Sequence, residues 1–209
     1  MKYSELNKIA IIGSGGHTRS AINLLLNYFA IQNISIFDDS FVDGSEEIIN
    51  SVPLVGVTNS IKLEQNIFLS IGDNSLRKQY FSKFRDQIIN DNICHNKSLQ
   101  EKNIRMGNSN QIYANSYINS QVIIGDNNII NTGVIIEHET VLGNHNHISV
   151  GVKICGRVNI GDLCFIGAGA IISDNLSICN NVTIGAGSVV IGDINDEGTY
   201  VGNPIRRIK

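Results

Sequence analysis

The sequence predicts two joined folds: a small open α/β sheet over residues 1–100 and a parallel β-helix over residues 101–209. Three observations carry this. Strand-like and helix-like segments alternate in the first hundred residues, with a glycine-rich turn after the first strand. From Ile112 onward an aliphatic residue recurs every six positions. The composition is globular: 42% of the 209 residues are apolar and 17% are Asp, Glu, Lys or Arg, against roughly 25% charged in an average soluble protein. A chain so poor in charge is not disordered, and its length allows one or two small domains with real cores.

In the first part, residues 8–12 read as a strand, Gly13-Ser14-Gly15-Gly16-His17 as a tight turn, and residues 18–29 as a helix burying Ala21, Leu24, Leu25 and Tyr28. Residues 34–37 form a second strand ending at Asp38-Asp39, and residues 67–71 a third ending at Gly72-Asp73-Asn74. Residues 75–89 follow as an amphipathic helix capped by Asn74 or Ser75. Such sheets bind ligands at the C-terminal ends of their strands. A strand, a Gly-rich turn and a helix N-terminus present backbone N–H groups and a positive dipole to an anion, phosphate above all. The dinucleotide pattern G-x-G-x-x-G would need Gly at position 18, where the chain has Thr18, which weakens a reading as an NAD site. Gly15, Gly16 and His17 are therefore candidate phosphate or sugar contacts, Asp38 and Asp39 candidate acceptors for a ribose or base N–H, and Gly72, Asp73, Asn74 and Arg77 candidates for the same cleft. Helix capping and loop bracing are the structural alternatives for the acidic and Asn positions.

In the second part, stepping by six from Ile112 gives Ile118, Ile124, Ile130, Ile136, Leu142, Ile148, Ile154, Ile160, Ile166, Ile172, Ile178, Ile184 and Val190. With a third of residues aliphatic, such a run arises by chance on the order of once in several million registers. A period of six fits a short strand and a turn, repeated, with the anchor facing one axis; three sides close a coil of about eighteen residues. The residue after each anchor is often small (Gly125, Gly143, Ser149, Cys155, Gly161, Gly167, Ser173, Cys179, Gly185), and Gly or Asn is expected at the corners that need a left-handed backbone. Twelve of the 36 isoleucines occupy the fourteen anchors, and many of the 27 asparagines fall near corners.

Glu137-His138-Glu139 interrupts this pattern, with His145 and His147 close behind. Since Ile136 faces inward, His138 and Glu139 fall at the next corner, and Gly156, eighteen residues on, stacks one coil away. A histidine near neutrality can take a proton, an adjoining carboxylate can orient its ring, and a fixed backbone N–H can hold an oxyanion. That set suits transfer of an acyl group to an amine or hydroxyl.

The chain resembles the hexapeptide-repeat sugar acyltransferases that include the sialic acid O-acetyltransferases and the UDP-N-acetylbacillosamine N-acetyltransferases. The resemblance rests on residues 13–17, Phe37-Asp38-Asp39, residues 71–74 with Arg77, the stretch from Asn131 through Glu137-His138-Glu139 to Gly151, and the closing Gly202-Asn203-Pro204-Ile205-Arg206. It implies a Rossmann-like N-terminal domain for a sugar nucleotide, a left-handed parallel β-helix, a cytoplasmic homotrimer with active sites between subunits, and acetyl-CoA as co-substrate. It implies His138 as base and Glu139 as its orienting carboxylate. Gly156 would be the oxyanion donor, Asn131 and His147 acceptor-site or acyl-site contacts, and Ala168, Ala186 and the tail around Pro204 would border coenzyme A. The substrate expected is the 4-amino group of a UDP- or dTDP-linked 4-amino-4,6-dideoxy sugar for surface glycan or glycoprotein synthesis. O-acetylation of sialic acid is the alternative within the class.

Other classes fit less well. A net charge of -3 with no basic block argues against nucleic acid or an anionic membrane as partner. The four cysteines form no C-x-x-C pair, so no zinc knuckle or disulfide framework is expected, and no metal is called for. A trimeric zinc lyase of the carbonic-anhydrase type would need His138, His145 and His147 to converge across a subunit boundary. A non-catalytic sugar-nucleotide sensor would have no use for His138 and Glu139. No stretch is long enough for a signal peptide or membrane span.

Overall fold

The computed structural model describes residues 8–44 and 46–209. They form two compact units, the first ending at Asn90 and the second spanning Asp91–Lys209. The boundary lies ten residues before the expected one because short strands at Ile93–Cys94 and Leu99–Gln100 already pair into the β-helix. The six-residue period is masked there by Gln100, which stands at an anchor position.

The first unit is built on four parallel strands, β1 (Ile9–Ile12), β2 (Ile34–Phe37), β4 (Val52–Gly56) and β5 (Asn66–Leu69), plus β3 (Ile48–Ile49) antiparallel to β4. Their order is β3-β4-β2-β1-β5, so β1 is an inner strand and its neighbours β2 and β5 lie on opposite sides of it. That placement opens a crevice at the strand C-termini, the ligand edge of such folds. All four residues of β1 are buried, as a doubly covered parallel strand requires. Strand β4 escapes a reading by pattern because Pro53 sits inside it; Pro53 is exposed and its neighbours Val52 and Leu54 are buried.

Helix α1 (Gly16–Leu25) buries Ala21, Ile22, Leu24 and Leu25. It starts two residues before the expected position and ends four earlier. Helix α2 (Asn74–Lys83) is capped by Asp73, whose side chain accepts from Leu76 N at 2.7 Å, not by Asn74 or Ser75. Asn74 is instead used by Arg77, a fully buried cation that donates to Asn74 Oδ1 at 2.9 Å and to Ile71 O at 3.0 Å.

The second unit is a triangular parallel β-helix of two- and three-residue strands. One sheet stacks Leu99–Gln100, Tyr117–Ile118, Ile135–Ile136, Lys153–Ile154, Ile171–Ile172 and Val189–Val190 in register, each pair eighteen residues apart. A second runs from Arg105–Met106 to Ser177–Ile178, and a third from Ile93–Cys94 to Val182–Ile184. The third ends in a hairpin of Gly198–Gly202 and Ile205–Arg207. All fourteen anchors face inward and are buried, together with residues four further on such as Val122, Val134, Val152 and Val158. Burying one such side chain contributes about 1.5–3 kcal/mol.

Residues in the left-handed region come three places after the anchors. They include Gly133, Gly151, Gly169 and Gly187, and five asparagines (Asn103, Asn115, Asn127, Asn175 and Asn181). They also include Gln121, Glu139, His145, Arg157 and Leu163, at φ near +60°. The glycines directly after the anchors serve a different need. A Cβ on Gly125 would lie 2.5 Å from Asn144 Oδ1, and one on Gly143 would lie 2.3 Å from Asp162 Oδ1. Those side chains accept from the coil before, Asp126 N to Asn144 Oδ1 at 2.8 Å and Asn144 N to Asp162 Oδ1 at 2.6 Å, so the glycines make room for an inter-coil ladder.

A second ladder runs inside the coil. Asn110, Asn128 and Asn146 are fully buried. Asn110 N donates to Asn92 Oδ1, Asn128 N to Asn110 Oδ1, Asn146 N to Asn128 Oδ1 and Cys164 N to Asn146 Oδ1, all between 2.6 and 2.9 Å. Each link satisfies a buried backbone N–H where the chain turns a corner and no strand partner is available.

Candidate active site

Two candidate sites lie in the two units. In the first unit, the turn after β1 is held from below. Gly13 has φ +111°, and a Cβ there would meet Ser70 O at 2.9 Å, so only glycine lets the end of β1 pass the end of β5. Thr18, in place of the third glycine of a dinucleotide fingerprint, is buried; its hydroxyl donates to Gly13 O at 2.8 Å and accepts from Ser70 Oγ at 3.0 Å. At Gly15 and Gly16 a Cβ would meet nothing within 4 Å. These two glycines are not demanded by packing; they leave open space over the first turn of α1, which carries no acidic residue. Gly15, Gly16 and His17 thus sit where an anion is favoured.

Beside this turn is a cavity of about 200 Å³ lined by Ile12, Gly13, Asp38, Asp39, Thr58, Ile71, Leu76 and Tyr80. Asp38 accepts from Ser14 N at 2.7 Å through Oδ2 and from Ser40 N and Oγ through Oδ1. Asp39 accepts from Thr58 N and Oγ1 through Oδ1 and from Tyr80 Oη at 2.7 Å through Oδ2. Burial pushes the Asp38 carboxyl up, but the Ser40 and Ser14 hydrogen bonds outweigh it and hold it below its ordinary value. The Tyr80 hydroxyl and the Thr58 N–H do the same for Asp39, and the same bond raises Tyr80. A carboxylate has about four acceptor positions, so Asp39, with three donors, has one left for a ligand donor, whereas Asp38 is filled by the backbone and side chains of Ser14 and Ser40. Their first role is to tie the strand ends together. Gly72, Asp73 and Asn74 do not line this cavity; they cap and brace α2. Thr58 and Tyr80 were missed by sequence reading. Thr58 lies in an irregular segment, and Tyr80, stacked on Phe84 at 6.0 Å between centroids, reads as an ordinary helix aromatic.

In the second unit, His138, Glu139 and Gly156 come together at one corner, as the eighteen-residue spacing requires. His138 Nδ1 lies 3.0 Å from Glu139 Oε2. Glu139 is held below the ordinary carboxylate range, first by the His138 hydrogen bond and then by the charge and hydrogen bond of Arg157. An ionised carboxylate only accepts, so Nδ1 carries the proton and Nε2 presents its lone pair. Gly156 is packed under this ring: a Cβ there would lie 2.7 Å from His138 Cε1 and 2.8 Å from Nε2. Among the described residues Gly156 N donates no backbone hydrogen bond, while Arg157 N is taken by His138 O at 2.9 Å. Arg157 Nε reaches Glu139 Oε2 at 3.0 Å. Sequence reading missed Arg157, although its position eighteen residues after Glu139 was the available signal.

The other expected contacts lie elsewhere on the triangle. Asn131, Ala168 and Ala186 follow strands of the third sheet, at the corner before Ile135–Ile136 and its stacked equivalents, whereas His138 and Glu139 follow Ile135–Ile136 at the next corner. Asn131 Oδ1 accepts from Thr132 N at 2.8 Å. Ala168 and Ala186 are exposed and stacked, Gly187 N donating to Ala168 O at 2.8 Å. His147 is buried edge-on against Phe165, with centroids 5.1 Å apart, and His145 Nδ1 pairs with Asn127 Nδ2 at 2.9 Å. Among the described residues no group of His, Cys, Asp and Glu is gathered to hold a metal ion. No helix of the described residues is long and apolar enough to cross a membrane.

Residues 8–84 match the PglD N-terminal domain family. No curated protein is similar enough in sequence to match the chain. Solved structures are similar over both units. The acetyltransferase domain of PglB from Neisseria gonorrhoeae superimposes with a TM-score of 0.85 at 27% identity, covering 97% of this chain and 100% of that one. That domain has also been seen in complex with acetyl coenzyme A, at a TM-score of 0.84. PerB from Caulobacter crescentus, in complex with CoA and GDP-perosamine, superimposes with a TM-score of 0.83 at 28% identity over 97% of each chain. The likeness gives the β-helix its left hand, which strand sterics alone would not have predicted. The chain thus joins a match to the PglD N-terminal domain family over residues 8–84 to a left-handed β-helix, the arrangement of the acetyltransferase structures to which it is similar.

Proposed function

We propose that the protein transfers the acetyl group of acetyl-CoA to the amine of a nucleotide-linked amino sugar, the 4-amino group of a 4-amino-4,6-dideoxy sugar being the leading candidate. The observation that carries this reading is the His138–Glu139 pair seated over Gly156, in a chain whose first unit has an open anion-binding turn. Relatives crystallised with acetyl-CoA, or with CoA and GDP-perosamine, support both substrate classes.

In the proposed reaction the neutral amine attacks the thioester carbonyl. A C–N bond forms, the carbonyl oxygen takes negative charge, and Gly156 N–H donates to it. His138 Nε2 takes the proton leaving the nitrogen, while Glu139 holds Nδ1–H and stabilises the imidazolium. Collapse breaks the C–S bond, and the coenzyme A thiolate leaves and is protonated by His138. No enzyme nucleophile is needed.

The site is completed by a second copy in this reading. Asn131, Ala168 and Ala186 occupy one corner and His138 the next, so a groove that uses both is formed between neighbouring subunits of a homotrimer. Such an enzyme works in the cytoplasm, where both substrates are held, and its product serves surface glycan or glycoprotein assembly.

The test is incubation with acetyl-CoA and a panel of UDP-, dTDP- and GDP-linked 4-amino sugars together with free and nucleotide-linked sialic acid, reading thiol release. Turnover with an amino sugar supports the reading and identifies the carrier. Turnover with sialic acid alone would replace it with O-acetylation.

A further inference from the structure

We propose that Arg157 is a positioning residue for the acetyl transfer, holding Glu139 on His138 from the neighbouring coil. The proposal rests on the reading of His138 as the base.

Two independent observations lead to it. The first is geometric: Glu139 Oε2 is shared at 3.0 Å by His138 Nδ1 and by Arg157 Nε. Glu139 is 42% exposed and would otherwise be free to turn into the cavity of about 570 Å³ that it lines with Arg105 and Gln121. An ion pair anchored one coil away removes that freedom. The second is conformational. Arg157 sits at φ +59°, in a column whose other corners are Asn103, Gln121, Glu139 and Asn175. Asn is at ease in the left-handed region, whereas a long side chain there is strained. The coil tolerates arginine where asparagine would fit better, and strain of this kind concentrates where a side chain has a task.

Other charges near the pair do not substitute for it. Among the described residues Glu139 pairs with His138 and Arg157, and Arg105, which lines the same cavity, makes no ion pair with it. Glu137 is engaged by Asn119 Nδ2, and the coil on that side offers Asn119, Ser120 and Gln121, none charged. On the other side the following coil brings Asp174 and Asn175, and Asp174 Oδ2 accepts from Asn175 Nδ2.

The experiment compares wild type with Arg157→Asn and Arg157→Lys. Asn suits the backbone, so Arg157→Asn folds with an unchanged or higher melting temperature. Its kcat falls about five-fold, the scale of an exposed ion pair, with KM for acetyl-CoA and for the acceptor within about two-fold of wild type; Arg157→Lys recovers part of the loss. In a long-range proton–nitrogen correlation spectrum, with His138 identified by its loss in His138→Ala, the Nδ1–H tautomer becomes less populated in Arg157→Asn. This spectrum needs no turnover, so it tests the positioning role even if the acceptor chemistry proves different. A kcat at or above wild type with an unchanged tautomer overturns the proposal, as does a loss of activity matched by a loss of stability.

Discussion

The buried asparagine ladder makes the sharpest statement about what holds the β-helix together, and Asn128→Ala tests it. Asn128 is fully buried. Its Nδ2 donates to Gly143 O at 2.9 Å and to Asn110 Oδ1 at 3.0 Å, and its Oδ1 accepts from Asn146 N at 2.8 Å. Alanine removes all three bonds. Asn146 N then loses its partner in the buried interior and Gly143 O loses one in a partly buried place, at about 1–3 kcal/mol for a buried group left unsatisfied, and a small void adds to this. The sum is about 3–5 kcal/mol. For a chain of this size 1 kcal/mol moves the melting temperature by about 2–4 °C, so a fall on the order of 10 °C is expected. Thermal unfolding followed by circular dichroism, at equal protomer concentration because assembly contributes to apparent stability, reads it directly. Asn103→Ala, at an exposed corner of the same β-helix, is the control and should lose about 1 kcal/mol or less. A shift within about 2 °C for Asn128→Ala would refute the reasoning, because it would mean that these corner N–H groups find other partners.

Three further predictions follow from single geometric facts. Gly156→Ala should fold normally and lose about a hundred-fold in acetyl transfer, since a Cβ within 3 Å of the His138 ring displaces it and a misplacement of about 1 Å costs that much; retained turnover in a steady-state assay would contradict the close packing. Leu163→Asn should raise the melting temperature by about 2 °C, because Leu163 is held at φ +60° while Asn127 and Asn181 occupy the same column without strain; a lower value would show that Leu163 packing outweighs its backbone. Asp38 and Asp39 both titrate below their ordinary value of 3.8 in the folded state. Their hold on the strand ends is therefore complete above that value and is lost as pH falls through the lower folded values. Calorimetric titration of nucleotide into the protein should show this hold intact at pH 5 and failing only below the ordinary value of 3.8, and Tyr80→Phe should move the failure to higher pH.

The β-helix was legible because its anchors obey one rule at every coil: an aliphatic side chain every six residues has nowhere to go but inward. The same regularity located His138, Glu139 and Gly156 together, since residues eighteen apart stack. What escaped was whatever depends on contacts between coils rather than on one coil's pattern. The glycines after the anchors read only as small positions, whereas Gly125 and Gly143 clear space for Asn144 and Asp162 from the next coil. The Asn110, Asn128 and Asn146 ladder was hidden by an Asn-rich background. Arg157 occupies a corner where propensity favours Asn, so only its stacking partner explains it. In the first unit the strand and turn after it were readable, but Asp39 was bound to a helix residue, Tyr80, and to Thr58 in an irregular segment. Such long-range pairings leave no local signal.

The claim on which the account stands is that His138 moves the proton during acetyl transfer. Steady-state thiol release by His138→Ala, with its assembly and acetyl-CoA binding checked alongside, tests it most directly. The account predicts an intact protein that binds acetyl-CoA and turns over several hundred-fold more slowly, within the roughly 10²- to 10⁴-fold range of a lost general base. Turnover close to that of the unmodified protein would contradict it.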